Sequence, residues 1–341
     1  MLFDYMATFC EPKKGVMRMN NGYPRLLGDI GGTNARWAWQ QSAGAMLEDV
    51  SVQPCLDSAS LQDSAFSYLK AHGRANPRWA GIGIATAITG DEVRMTNNAW
   101  RFSIAEFKQA LALERCLVIN DFTALALSLP VLQPADLRQI CGGAPTKGAA
   151  VALLGPGTGL GVSGLIPDAA GRYSALSGEG GHATLAGCDQ LEAELLATLR
   201  RDFDHVSAER VLSGAGLVNL YRAVCSMEGA PQRALQPSEV SAAALDGTDP
   251  QCVAAVRFFT RFLGSFAGNL ALTLGSFGGV YVGGGIVPRL GAAFDVAEFR
   301  QAFVRKGRYQ TMLSSIPVWL ITASAPALIG ASQALDTLAH V

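Results

Sequence analysis

Nine residues near the start of the chain, Gly28-Asp29-Ile30-Gly31-Gly32-Thr33-Asn34-Ala35-Arg36, limit what it can fold into more than any other stretch. A short apolar run, Leu26-Leu27, precedes them, and Trp37-Ala38-Trp39 follows. Apolar, glycine-rich, apolar predicts strand, tight turn, strand. Paired glycines reach positive φ and let the backbone come close to a ligand. Successive N–H groups in such a turn converge on an anion. Asp29 sets a carboxylate at the mouth of the turn, where it repels a bare phosphate unless a metal ion or a hydroxyl lies between. The stretch therefore reads either as a phosphate-handling hairpin that works with a divalent cation or as an ordinary hairpin with glycines for its turn.

The same device returns in the second half. Leu153-Leu154 leads into Gly155-Pro156-Gly157-Thr158-Gly159-Leu160-Gly161, and Val162 to Ile166 is again β-like. Two such hairpins, one per half, predict an internally duplicated fold with phosphates held between the halves. The G-x-G spacing at 155–161 raises a dinucleotide fold, but that motif needs a helix after the glycines, and a β-like run follows here. No G-K-[ST] occurs, so a Walker loop is excluded. What remains is a phosphate turn with Thr158 as a hydroxyl donor, or a structural turn.

Elsewhere strands alternate with helices, which argues for an α/β fold. The pattern predicts helices over Leu61–Lys70, from an N-cap at Ser103 with Glu106 closing a capping box to about Leu113, near Gln190–Arg201 and Gly216–Ser226, and from Leu328 to His340. It predicts strands over Trp79–Ala85, Leu117–Ile119, Val280–Val282 and Val318–Ile321. From Phe262 to Pro288 there is no charged residue, but glycines from Gly275 onward break the helical pattern. A buried helix followed by a core strand explains this better than a membrane span. A length of 341 residues allows two domains, and Pro130 and Pro134 mark the expected boundary.

The net charge is −1, so composition gives no argument for nucleic acid or an anionic membrane as partner. The seven cysteines are scattered without a C-x-x-C pair. That argues against a disulfide framework or a zinc knuckle and favours a reducing cytoplasm. Met1 to Pro24 lacks a long apolar run and does not read as a signal peptide. It is expected to be a disordered extension, unless translation starts at Met17 or Met19.

Three further constellations carry chemistry. Asn120-Asp121 ends a buried strand, where open α/β sheets place ligand groups. A carboxylate there can orient a hydroxyl and take its proton as the oxygen attacks phosphorus, the role an Asp plays in protein kinases. The plain alternative is an Asp capping the helix that follows. In Gly178-Glu179-Gly180-Gly181-His182, two adjacent glycines disfavour a helix by about 1 kcal/mol each. A loop offering a carboxylate and an imidazole to a sugar fits, as does a flexible surface loop. Glu209 offers another carboxylate, or simply a first-turn acid complementing a helix dipole. Gly283 to Gly285 can let a nucleoside lie against bare backbone, or can cap a strand.

Together these segments resemble the bacterial ATP-dependent glucokinase family of the actin-like, or sugar kinase/Hsp70, superfamily. The matching segments are Gly28 to Arg36, Thr96-Asn97-Asn98-Ala99-Trp100-Arg101-Phe102-Ser103-Ile104, Ile119 to Ala124, Gly157 to Val162, Gly178 to His182, Ala208-Glu209-Arg210-Val211-Leu212-Ser213-Gly214 and Gly283 to Arg289, in family order. The resemblance implies a two-domain actin-like (ribonuclease H-like) ATPase fold with a cleft between the domains. It implies a small α/β domain at 25–132 plus about 322–341 and a large one at 133–321, after an extension at 1–24. The activity implied is transfer of the γ-phosphoryl group of ATP to O6 of glucose, the first step of glycolysis. Position by position, Gly28, Asp29, Ile30, Gly31, Gly32, Thr33 and Asn34, with Thr158 and Gly159, would hold the ATP phosphates. Gly283, Gly284 and Gly285 would lie near the adenosine. Asn120, Asp121, Glu179, His182 and Glu209 would grip glucose, with Asp121 as the base toward O6. Mg²⁺ would bridge the phosphates with Asp29 nearby, through water. A homodimer is also implied.

The sequence departs from the family at Thr86-Ala87, where the family has a Pro in the turn. The Cys/His zinc cluster of the related repressor–kinase family is missing. A kinase for another hexose such as mannose or an N-acetyl sugar is the nearest alternative. A sugar-sensing regulator is a more distant one, since no basic stripe or helix-turn-helix segment is visible.

Overall fold

The computed structural model of the protein describes residues 22–95 and 98–338. Residues 1–21 of the expected extension, Thr96-Asn97 and the expected helix end at His340 lie outside these. The chain forms two units, one from the described residues up to Gln133 together with those from Ala323, the other from Pro134 to Thr322.

In the first unit β1 (Arg25–Ile30) is the central strand, with Leu26, Leu27 and Ile30 fully buried. It pairs antiparallel with β2 (Asn34–Gln40), which pairs antiparallel with β3 (Glu48–Pro54). Ser60 caps α1 (Leu61–Ala71) by accepting the Asp63 N–H. β4 (Trp79–Ile84) runs parallel to β1. The small ribbon β5 (Glu92–Arg94) and β6 (Arg101–Ser103) leads to α2 (Ile104–Ala110), then β7 (Arg115–Asn120) and α3 (Asp121–Ser128). The sheet order is β3-β2-β1-β4-β7.

Two local expectations need correcting. The turn of the first hairpin is only Gly31 to Thr33, closed by a 2.9 Å bond from the Gly31 N–H to the Asn34 carbonyl. Gly28, Asp29 and Ile30 belong to β1, and Gly28 lies opposite Trp37. The Trp37 ring fills the space a Gly28 side chain would need, so this glycine serves core packing. Near the start of α2, Ser103 does accept the Glu106 N–H, but Glu106 does not close the box. Asp91 does so instead, accepting from Ser103 Oγ and from the Ala105 N–H. The helix stops at Ala110, because Ala112 takes a positive φ of 49° and Leu111 and Leu113 turn into the core.

The second unit contains β8 (Leu137–Cys141), β9 (Val151–Pro156), β10 (Leu160–Pro167), β11 (Tyr173–Ala175), α4 (Gln190–Leu199), α5 (Gly214–Glu228), α6 (Pro237–Leu245), α7 (Pro250–Leu274), β12 (Val280–Val282), α8 (Ile286–Leu290), α9 (Val296–Val304), α10 (Gln310–Ser315) and β13 (Val318–Ile321). Its sheet order is β11-β10-β9-β12-β13-β8. The first five strands repeat the order and senses of the first unit, antiparallel on one side of the central strand and parallel on the other. β8 is added antiparallel beyond β13. β8, α6, α9 and α10 go beyond the sequence-based expectation.

α7 buries Phe259, Phe262 and Phe266, and Gly264 and Gly268 let the α9 backbone lie directly against it. It ends at Gly275 with φ 61°, the left-handed cap its glycine allows. Among the described residues no helix is long and apolar enough to cross a membrane.

The last helix, α11 (Pro326–Leu338), returns to the first unit. Gly330 packs on the Ala124 carbonyl of α3, and Gly81 of β4 leaves room for the Ala331 carbonyl. Arg25, buried in β1, donates to the Ser332 carbonyl and hydroxyl at 3.0 Å and to Asp336 at 2.7 Å. Its guanidinium lies 4.0 Å from the centre of the Tyr23 ring. A cation is accepted in this core because both terminal nitrogens are paired and an aromatic ring lies against its face, although Nε is buried without a hydrogen-bond partner.

Candidate active site

In the first unit, three candidate residues meet at the carboxyl ends of the parallel strands. Asp29 of β1 is level with Gly83 of β4, and Ile84 is level with Asn120 of β7. Asp121 follows at the first position of α3. Polar groups at this end of an open sheet face ligands. Gly83 makes the arrangement possible, since a side chain there would press on Ala124 of α3 at 3.0 Å and on the Asp121 backbone at 3.5 Å.

The question of which residue caps α3 has a clear answer. Asn120 Oδ1 accepts from the Phe122 N–H at 2.9 Å and the Thr123 N–H at 3.1 Å. That uses the acceptor half of the amide and leaves its NH₂ as a donor. Asp121 is therefore not the cap, although its Oδ1 also lies 2.9 Å from the Phe122 N–H.

Asp29 is largely buried and holds an ion pair that the sequence reading did not assign. Arg36 Nη1 reaches Asp29 Oδ2 at 2.9 Å, from the directly opposing position on β2. Burial pushes the Asp29 carboxyl above its ordinary range, and the Arg36 charge and hydrogen bond oppose that rise. The signal was present in the hairpin register, which sets positions 29 and 36 face to face across a short turn. After β4, in the Thr86-Ala87 turn, the Thr86 N–H donates to the Ile84 carbonyl at 2.8 Å and its hydroxyl to the Arg94 carbonyl at 3.0 Å.

In the second unit the β9–β10 turn spans Gly157 to Gly159, and Gly214 N–H ties it to the start of α5 through the Gly157 carbonyl at 2.9 Å. Glu209 sits in a turn, two residues past the Thr184–Ser207 bridge, and not in the first turn of a helix. Its Oε2 accepts the Leu160 N–H at 2.8 Å. Gly159 has no side chain because a Cβ would strike that same oxygen. Glu179 precedes a short 3-10 turn, Gly180–His182, so the two glycines do form a single helical turn. Both Glu179 and His182 are exposed, with 4.0 Å between Oε2 and Nε2. Gly181 packs on the Leu160 carbonyl, and the Glu209 N–H donates to the Gly181 carbonyl at 2.8 Å.

Gly283 to Gly285 also reach this region. The Gly283 N–H donates to the Leu154 carbonyl at 2.8 Å, and Gly284, at φ 78°, lies against the end of β9 at Pro156. The structure thus gathers Asp29, Asn120 and Asp121 in one unit, and Thr158, Gly159, Glu179, His182, Glu209 and Gly283–Gly285 in the other. Sequence reasoning missed Arg36, Gly83 and the Leu160 N–H. Gly83 and Leu160 act through backbone proximity, which no residue pattern announces.

A family profile described as Glucokinase matches residues 26–338. A protein of Aromatoleum aromaticum named Glucokinase is 53% identical over 315 residues, covering 92% of this chain and 95% of that one. One of Chromobacterium violaceum with the same name is 49% identical, covering 93% and 91%. The crystal structure of a glucokinase from an Antarctic psychrotroph superimposes with a TM-score of 0.82 at 36% identity, covering 92% of this chain and 99% of that one.

Proposed function

The chain belongs to the glucokinase family, and on that premise we propose how its residues share the transfer of a phosphoryl group from ATP to glucose. Glucose and ATP are its substrates. Asp121, at the carboxyl end of β7, orients the O6 hydroxyl and receives its proton as the oxygen attacks the γ-phosphorus. The bond from O6 to phosphorus forms, the bond to the β-phosphate oxygen breaks, and ADP leaves. Such chemistry rests on positioning and charge stabilisation. The observation that carries the assignment is the place of Asp121, directly after the carboxyl end of β7 and at the first position of α3.

Asn120 offers its amide NH₂ to the sugar, while Glu179, His182 and Glu209 accept from or donate to other hydroxyls. Gly31 to Asn34 and Thr158-Gly159 take the phosphates, and Gly283 to Gly285 lie along the adenosine. Backbone N–H groups, not glycine side-chain space, are what these turns supply.

Mg²⁺ fits the residues present. Arg36 occupies one oxygen of Asp29, and Oδ1 has no partner among the described residues. Among the described residues no group of three His, Cys, Asp or Glu could hold a metal alone. One carboxylate plus phosphate oxygens and waters is a usual magnesium shell. The ion would neutralise charge building on the phosphates, with Asp29 holding its waters. The scattered free thiols support work in a reducing cytoplasm, and the family resemblance supports a homodimer. The deciding experiment is an ADP-release assay over a panel of hexoses and N-acetylhexosamines. Glucose should give the highest kcat/KM, and preference for another sugar would overturn the specificity.

A further inference from the structure

We propose that Glu209 couples the sugar site to the second phosphate turn, one carboxylate serving both. This rests on the roles proposed above for Glu209 and for Thr158-Gly159. Three segments of the second unit meet at this residue. Its N–H donates to the Gly181 carbonyl in the sugar loop, and its Oε2 accepts from Leu160 at the exit of the phosphate turn. Two glycines make the packing close enough. Gly159 clears the carboxylate, and Gly181 clears the Leu160 carbonyl. Ala208 is fixed in turn by its N–H on the Ala183 carbonyl at 2.9 Å.

Oε1 of Glu209 has no partner among the described residues. A sugar hydroxyl donating to it fixes the plane of the carboxylate. The same plane aims Oε2 at the Leu160 N–H, so sugar binding orders the turn that receives phosphate. A second ligand then meets a turn whose ordering has already been met, and binds tighter. Linkage makes the effect reciprocal, so nucleotide must tighten sugar binding by the same factor. Glu209 is in this sense a positioning residue for the phosphates as well as a sugar ligand.

The test titrates a non-hydrolysable β,γ-imido ATP analogue with Mg²⁺, with and without saturating glucose. It compares wild type with E209A, E209Q and G159A. In wild type, glucose should tighten the analogue by at least about fivefold, the low end of ordinary coupling. In E209A and G159A that factor should fall to about one, since each parts the carboxylate from Leu160. Without sugar, E209A should bind the analogue at least about threefold more weakly, the small net worth of one hydrogen bond. E209Q keeps an acceptor for Leu160, and its sugar-free analogue affinity should stay near that of wild type. Retention of wild-type coupling by E209A and G159A overturns the proposal. Circular dichroism checks the fold, and if E209A is unfolded, E209Q and G159A decide. Failure of the family reading looks different, because wild type itself would then release no ADP with glucose.

Discussion

Asp29 and Arg36 face each other across the first hairpin, Oδ2 to Nη1 at 2.9 Å, and among the described residues Arg36 is the countercharge to a carboxyl whose burial favours the proton. If ionised Asp29 holds the magnesium waters, activity must fail on acidification at a higher pH than for an ordinary aspartate. Arg36→Ala removes the opposing charge, so the acid limb of kcat/KM for MgATP moves further up. At neutral pH that ratio should drop by about tenfold, the scale of one charge-assisted hydrogen bond. Stability has the opposite sign. A raised native pKa means the folded state holds the proton longer, so this group's contribution is complete below 3.8 and is lost as pH rises through its native value. A pH–rate profile with an NMR titration of Asp29 checks both, and an unmoved acid limb refutes the role.

Asp121→Ala should lower kcat by at least about 10²-fold and leave glucose affinity within about tenfold, as expected for loss of a positioned base. Steady-state kinetics beside direct glucose binding measure the two separately. Near-normal turnover would remove Asp121 from the mechanism.

Asn120 has two jobs that substitutions can divide. Asn120→Ser keeps a capping oxygen and should preserve stability to within about 0.5 kcal/mol, whereas Asn120→Ala should lose about 1 kcal/mol. Both delete the amide donor, so both should raise the glucose KM by about tenfold. Denaturant midpoints and KM values together give the answer. A serine variant with unchanged KM would mean that the residue is a cap and nothing more.

Gly284→Ala places a side chain at φ 78° and drives its Cβ into the Pro156 carbonyl. The variant should lose more than about 1 kcal/mol, the penalty for alanine at positive φ. The KM for ATP should rise with it, because the glycine run and the end of β9 shift together. Equilibrium unfolding and ATP kinetics test this, and an unchanged midpoint would show that the approach is not tight.

Both hairpins and the ends of most core strands were readable, because apolar runs bounded by glycine encode a register that few alternatives satisfy. What stayed hidden was contact at a distance. Asp121 reads on paper as the plain candidate for the helix cap, and only helix geometry assigns the task to Asn120. Gly28 looks like a ligand glycine until Trp37 is seen to fill its space. Glu209 looks like a dipole-complementing acid until its turn places it on Leu160, 49 residues earlier. The Ser103 capping box failed in a similar way, since Asp91 sits 12 residues before the N-cap Ser103 of the helix it helps to hold.

The return of α11 to Arg25 has a consequence for synthesis on the ribosome. The first unit begins the described chain, but its core lacks α11 until residues 326–338 have emerged. The second unit, from Pro134 to Thr322, is complete in the nascent chain before that helix exists. Domains usually mature in the order they are made. Here the order is inverted: the unit translated second can finish first, while the exposed β1–β4–β7 surface waits for the last helix. Emergence of residues 326–338, not translation of Gln133, is the moment at which Asp29, Asn120 and Asp121 acquire a finished scaffold. A released chain truncated after Thr322 should resist protease in the second unit and be cut in the first.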